Sequence, residues 1–235
     1  MSIRAVIFDL DNTLTHRDLT VQAYTRYLTQ HFSEQLLPQQ EQQLLAIIRR
    51  IDRGGYPIKE QLTHGSIGAS VAYAMQQELT WHQVPDLDVL TAFWFEKFGA
   101  CAVAMPQLYA MLNQLRSEGY RLGIISNGGH ETRLKIIQGL DVEHYFEHIV
   151  SSGSFGLSKP QPEIFQYTVA QFGLKPQQCV YVGDHPINDI EGANHAGLHS
   201  IWIEGFHATT QNIQPKIQQL NDLFPILDAL NQQIE

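Results

Sequence analysis

The chain has 235 residues, which at roughly 150 per domain allows one large domain or a core with a smaller insertion. Apolar residues make up 43% and charged residues 17%, a globular composition that excludes wholesale disorder. With 15 Lys and Arg against 24 Asp and Glu, the net charge of −9 argues against a nucleic-acid backbone or an anionic membrane as the main partner. The two cysteines, Cys101 and Cys179, lack CxxC spacing and are expected to be small buried apolar groups in a reducing compartment. No apolar run approaches the ~20 residues of a membrane helix, and no leader pattern opens the sequence. A cytoplasmic protein is the expectation.

In chain order, Ile3 to Phe8 reads as a short strand buried on both faces, ending at Asp9-Leu10-Asp11-Asn12-Thr13. From about Asp18 to Gly99 there is only helical periodicity, carried by Tyr24, Tyr27 and Leu28, then Leu44, Leu45 and Ile48, then Phe93, Trp94 and Phe98. The aromatics Phe93, Trp94, Phe95 and Phe98 are expected as the core of this block, and Gly54-Gly55-Tyr56 as a turn between helices. Beyond it, apolar strands alternate with amphipathic helices. Arg121 to Ile125 stops at Ser126-Asn127-Gly128-Gly129, Ile149-Val150 at Ser151, Cys179 to Val182 at Gly183-Asp184, and Ser200 to Ile203 at Glu204. Helical spacing marks Leu108, Leu112 and Leu115, then Leu134, Ile137 and Leu140, then Ile164, Phe165, Val169 and Phe172, with a last helix over Leu223 to Leu230. Strands alternating with helices predict an α/β fold, a doubly wound, mostly parallel sheet. The expected domains are a core of residues 1–16 and 100–235 and an inserted all-helical cap of residues 17–99.

In such sheets ligands bind beyond the carboxyl ends of the strands, and the polar residues fall there. Asp9 and Asp11 repel each other, which favours a divalent cation or a shared proton, and with Asp184 and Asp189 they put four acids at one edge, a set that suits Mg²⁺. Thr13, Ser126, Asn127 and Lys159 supply neutral donors and a cation of the kind that holds phosphoryl oxygens. His185 follows Asp184 directly and must lie near the same edge.

Four ordered motifs carry a family resemblance: FDLDNTL at Phe8 to Leu14, SNG at Ser126 to Gly128, KPQPEIF at Lys159 to Phe165, and GDHPINDI at Gly183 to Ile190. The sequence resembles the haloacid dehalogenase superfamily, in a phosphatase-like branch with a helical cap after the first motif. The resemblance implies Asp9 as nucleophile, forming an aspartyl-phosphate, and Asp11 as acid/base. It implies Mg²⁺ held by Asp9, the Asp11 carbonyl and Asp184, with Asp189 in support or orienting Lys159. Thr13, Ser126, Asn127 and Lys159 would bind the substrate.

The implied activity is Mg²⁺-dependent hydrolysis of a small phosphorylated metabolite, of nucleoside monophosphate or sugar phosphate type, by a monomer or homodimer. A phosphoglucomutase-like phosphotransferase shares the motifs and stands as the alternative. A 2-haloacid dehalogenase ranks lower, because it has no use for the second carboxylate at Asp11.

Overall fold

The computed structural model describes residues 2–234. Strands β1 (Ala5–Phe8), β2 (Arg121–Ser126), β3 (His148–Ser151), β4 (Cys179–Gly183), β5 (His199–Ile203) and β6 (Lys216–Ile217) form one sheet. Its order is β3-β2-β1-β4-β5-β6, and every neighbouring pair is parallel. The strands are near-continuous apolar runs because a parallel sheet is covered on both faces. All of β1 is buried, and its side chains alternate between faces. Ala5 and Ile7 join Tyr181 of β4 and Ile164, Phe165 and Val169 in a single core cluster.

The chain divides into two compact units, Met1–Thr15 with Ala104–Arg133 and Asp141–Glu235, and His16–Val103 with Leu134–Leu140. The second contains helices α1 (Arg17–His31), α2 (Glu41–Asp52), α3 (Ile67–Glu78) and α4 (Leu87–Lys97). Residues 134–140 fall with these helices, although their spacing alone gives no reason to separate them from the core. Tyr24, Trp94 and Phe98 form the centre of this unit, with Trp94 and Phe98 stacked at 4.4 Å and Tyr24 edge-on to Trp94 at 5.0 Å. Beside them Arg17 pairs with Asp52 at 2.5 Å, both side chains almost wholly buried, and its guanidinium lies 4.5 Å over the Phe98 ring. Asp52 also accepts from the Gly55 N–H at 3.0 Å, closing a turn in which Gly54 takes a φ of 72°, open to glycine at no steric cost.

The sheet unit is completed by α5 (Leu108–Ser117), α6 (His130–Gly139, shared with the other unit), α7 (Ser152–Phe155), α8 (Pro162–Gln171), α9 (Gly192–His195) and α10 (Leu223–Ile234). A six-residue π-helical turn, Pro186–Glu191, leads into α9. The first strand starts at Ala5 and not at Ile3, whose N–H instead donates to Asn231 at 2.8 Å. Cys179 is buried as expected, while Cys101 is only partly so. No helix among the described residues is long and apolar enough to cross a membrane.

Candidate active site

Because the strands are parallel, their carboxyl ends all reach one edge, and the chemistry-bearing residues leave the ladder there. Asp9 continues β1 by one residue, its N–H donating to the Val182 carbonyl at 2.9 Å, and the side chain is buried. A tight turn follows, in which the N–H groups of Leu14 and Thr15 both donate to the Leu10 carbonyl at 2.9 Å. Asn12 takes a φ of 57° in this turn, a conformation that asparagine tolerates better than most residues. Thr13 is fully buried, and its hydroxyl has no hydrogen-bond partner among the described residues.

Lys159 is the hub of the site. Its ammonium donates to Asp9 Oδ1 at 2.6 Å, to Asp189 Oδ1 at 2.7 Å and to the Tyr181 hydroxyl at 2.9 Å. The Tyr181 hydroxyl in turn donates to the Ile125 carbonyl at 2.9 Å. Asn127, expected from the sequence to meet the substrate, spends its amide on Lys159. Its Oδ1 accepts from the Lys159 N–H at 2.9 Å, and its Nδ2 donates to the Lys159 carbonyl at 3.1 Å. Ser126, the last residue of β2, is buried beside it.

Asp184 follows β4, and the π-helical turn brings Asp189 back over the strand end. His185 caps that turn, its Nδ1 accepting from the N–H groups of Ile187 at 3.2 Å and Asn188 at 3.1 Å. The His185 N–H donates to Asp189 Oδ2 at 2.9 Å, so both oxygens of Asp189 are held. The carboxylate of Asp184 meets His207 Nε2 at 3.1 Å, and its backbone carbonyl accepts from Trp202 Nε1 at 2.7 Å.

Asp9, Asp184 and Asp189 are all buried and offer oxygens within 4.8 Å of one another. One ammonium cannot balance three carboxylates in so dry a place. Burial pushes Asp9 well above the usual carboxylate range; Lys159 opposes this, while Asp189 and Asp184 reinforce it. Burial raises Asp184 too, against the pull of His207. For Lys159 burial acts downward, but Asp189 and Asp9 outweigh it and hold the ammonium charged. Asp9 Oδ2 is buried with no hydrogen-bond partner among the described residues. A hard divalent cation suits this surplus of negative charge and this unused oxygen.

Asp11 faces elsewhere. Its Oδ2 pairs with Arg133 Nη1 at 2.5 Å and its Oδ1 accepts from the Thr15 hydroxyl at 3.4 Å, so its side chain is no member of the carboxylate cluster. Arg133, Tyr181 and His207 are absent from the residues that the sequence singles out. Tyr181 sits inside an apolar strand and Arg133 inside an amphipathic helix, where each looks like ordinary core or surface. His207 lies in a polar loop with no motif around it.

The family of haloacid dehalogenase-like hydrolases matches residues 3–197. The phosphoserine phosphatase of Thermus thermophilus is 31% identical over 99 residues, 42% of this chain and 40% of that protein. The glyceraldehyde 3-phosphate phosphatase of Pyrococcus abyssi is 30% identical over 133 residues, 54% of this chain and 56% of that protein. The chain thus spans about half the length of these curated relatives. Among solved structures, the HAD-hydrolase YfnB from Bacillus subtilis, bound to magnesium, superposes with a TM-score of 0.72 at 20% identity, covering 97% of this chain and 100% of that one. The strand-end acids, the lysine hub and the match over most of its length place the chain in the haloacid dehalogenase-like hydrolase family.

Proposed function

We propose that the chain is a Mg²⁺-dependent phosphomonoesterase of a small phosphorylated metabolite, working through an aspartyl-phosphate on Asp9. The observation that carries this reading is the state of Asp9. One of its oxygens is fixed by Lys159, and the other is buried, without a hydrogen-bond partner among the described residues, beside two further carboxylates. That is an oriented nucleophile in a site built for more positive charge than the chain itself supplies. The phosphatase names of the relatives, and the magnesium of the Bacillus subtilis structure, agree with it.

Asp9, Asp184 and the Asp11 carbonyl would hold the ion, with Asp189, whose oxygens are already held by Lys159 and the His185 N–H, in support; when bound it would screen the acids and draw charge from the phosphoryl oxygens. A carboxylate oxygen of Asp9 attacks phosphorus, the bond to the leaving oxygen breaks, and that oxygen takes a proton from Asp11. The products of this half-reaction are the alcohol and the phosphorylated Asp9. Water then attacks phosphorus, Asp11 receives its proton, and the bond to Asp9 breaks to return the carboxylate and free phosphate. Lys159 keeps Asp9 in position and partly neutralises it. The Thr13 and Ser126 hydroxyls would bind phosphoryl oxygens, Thr13 with a buried hydroxyl that has no partner among the described residues. Asn127 acts one step back, by fixing the backbone from which Lys159 reaches.

The test is phosphate release from a panel of phosphorylated metabolites with Mg²⁺, with EDTA, and with Asp9→Asn. Release that needs the metal and Asp9 is expected, with acid-stable phosphorylation of Asp9 trapped on rapid quenching. Undiminished turnover by Asp9→Asn would refute the reading, and isomerised sugar phosphate in place of free phosphate would favour the phosphotransferase.

A further inference from the structure

Trp202 in β5 and His207 in the polar loop just beyond it grip Asp184 at both ends. Trp202 Nε1 donates to the Asp184 backbone carbonyl at 2.7 Å, and His207 Nε2 lies 3.1 Å from the carboxylate Oδ2. The Asp184 side chain is fully buried while that of His207 is 23% exposed, so the imidazole covers the acid on its solvent side. His207 is in turn backed by His185, the two ring centroids standing 4.5 Å apart at a tilt of 45°. His185 is itself fixed. Its Nδ1 accepts from the N–H groups of Ile187 and Asn188, and its own N–H donates to Asp189 Oδ2. The phosphoryl-transfer steps use neither imidazole.

An imidazole at this place can ligate an ion or support a residue that does. Among the described residues the side chains close enough to share one ion are Asp9, Asp184 and Asp189, and His207 is outside that group. Mg²⁺ also prefers oxygen ligands. Support is the role that remains. The terminal torsion of an aspartate is broad, so its carboxylate plane needs a partner to fix it. We infer that His207 is a positioning residue of the metal centre, which sets the plane of the Asp184 carboxylate, and that His185 serves by steadying His207. The inference rests on the metal site of the phosphomonoesterase reading and adds to it a residue outside all four motifs. Mg²⁺ affinity is thereby set in part from a loop that supplies none of the ligands. Both rings border a groove of about 520 Å³, together with Ile187, Thr209 and Gln211. Trimming either ring therefore widens a space open to water and empties no core.

The probe is the metal alone, added to the full chain at one fixed pH. Free Mn²⁺ is counted by electron paramagnetic resonance, Mg²⁺ affinity follows from competition, and melts in EDTA report the metal-free fold. Partners that orient a metal ligand contribute about 10–100-fold to affinity, so His207→Ala should weaken Mg²⁺ binding about tenfold or more. Its Tm in EDTA should change little. His207→Gln, whose amide can donate to the same oxygen, should restore part of the affinity. In His185→Asn the side-chain oxygen can still accept the turn N–H groups, but no ring backs His207. That variant should weaken binding by a smaller factor, and should add nothing in the His207→Ala background. Unchanged affinity in His207→Ala overturns the inference, as does tighter binding, which would mark the imidazole as a competitor of the ion. So does a loss that His207→Gln fails to restore and that comes with a matching fall of Tm in EDTA. Metal-dependent phosphate release alongside any of these results leaves the phosphatase reading standing. Weakened binding in His207→Ala, in a chain that releases no phosphate from any substrate, supports the inference and strikes the phosphatase reading alone. A wild-type chain that takes up neither ion overturns the inference together with the metal site on which it rests.

Discussion

Gly183 and Asp189 are fitted to each other: a Cβ on Gly183 would stand 2.5 Å from both Cγ and Oδ2 of Asp189. The absence of a side chain at the end of β4 is what lets the π-helical turn fold Asp189 back to Lys159. Gly183→Ala must therefore push Asp189 away. Overpacking of this kind costs about 1–3 kcal/mol, read as a lower Tm of the full chain. Activity and metal affinity should fall further than the stability loss accounts for, because Asp189 and Lys159 lose register. Wild-type metal affinity in the folded variant would contradict this.

The raised carboxylates give the metal-free chain a defined pH dependence. Where a native pKa lies above the unfolded value, the native state binds more protons, and stability falls as pH rises. For Asp9 and Asp184 that window opens above the ordinary value of 3.8 and closes at their raised native values. Lys159, also raised, acts with the same sign but in another range: its stabilisation is full below 10.5 and is lost as pH rises from there through its own raised value. In EDTA the Tm should thus decline from mildly acid to neutral pH, whereas Mg²⁺, which replaces the proton, should stabilise more as pH rises. Thermal melts across pH with and without Mg²⁺ measure both slopes, and parallel slopes would contradict the shared carboxylate site.

Asp11 should matter in proportion to the basicity of the leaving oxygen. General acid catalysis contributes about 10²–10⁴-fold, and an aryl phosphate needs little of it. Asp11→Asn is therefore expected to lower kcat/KM for alkyl phosphates far more than for aryl phosphates. Asp9→Asn should remove both. Equal losses in Asp11→Asn would leave Asp11 without an acid role.

In the helical unit the Arg17 and Asp52 pair is buried at 3% and 1% of side-chain exposure. Removing one member strands the other charge, which costs about 3–5 kcal/mol. Arg17→Met should therefore be strongly destabilising in urea unfolding, and Arg17→Met with Asp52→Leu should recover much of the loss. A double variant no more stable than the single one would place the damage in lost packing against Phe98.

Asp9 and Asp184 can be read from sequence because each follows an apolar strand at its carboxyl end, whereas Lys159 and Asp189 are legible only through the motifs KPQPEIF and GDHPINDI that carry the family resemblance. The five longer strands are equally legible, since parallel burial makes them continuous apolar runs. Strand β6, two residues long, is too short to carry a pattern. Helix α3 is missed for a different reason: Ile67–Glu78 is small and apolar around most of its circumference, so it lacks the one-sided stripe. The use of the Asn127 amide is also hidden, because its partners are the backbone groups of Lys159, 32 positions away. Arg133 escapes notice because an arginine on a helix is ordinary until its distance to Asp11 is known.

The strand bearing Asp9 is separated from both its neighbours, β2 and β4, by everything that follows Thr15 up to Arg121 and Cys179. During synthesis the helices α1 to α4 emerge and find partners close by in the chain, while Ala5–Phe8 waits. At about 5–20 residues per second that wait lasts on the order of ten seconds or more. For this interval a short, wholly apolar segment is exposed with no strand on either side, the condition under which chains aggregate or recruit chaperones. Ribosome-bound chains halted before Arg121 should thus be cleaved readily by protease around Phe8, and chains released beyond Ile203 should resist.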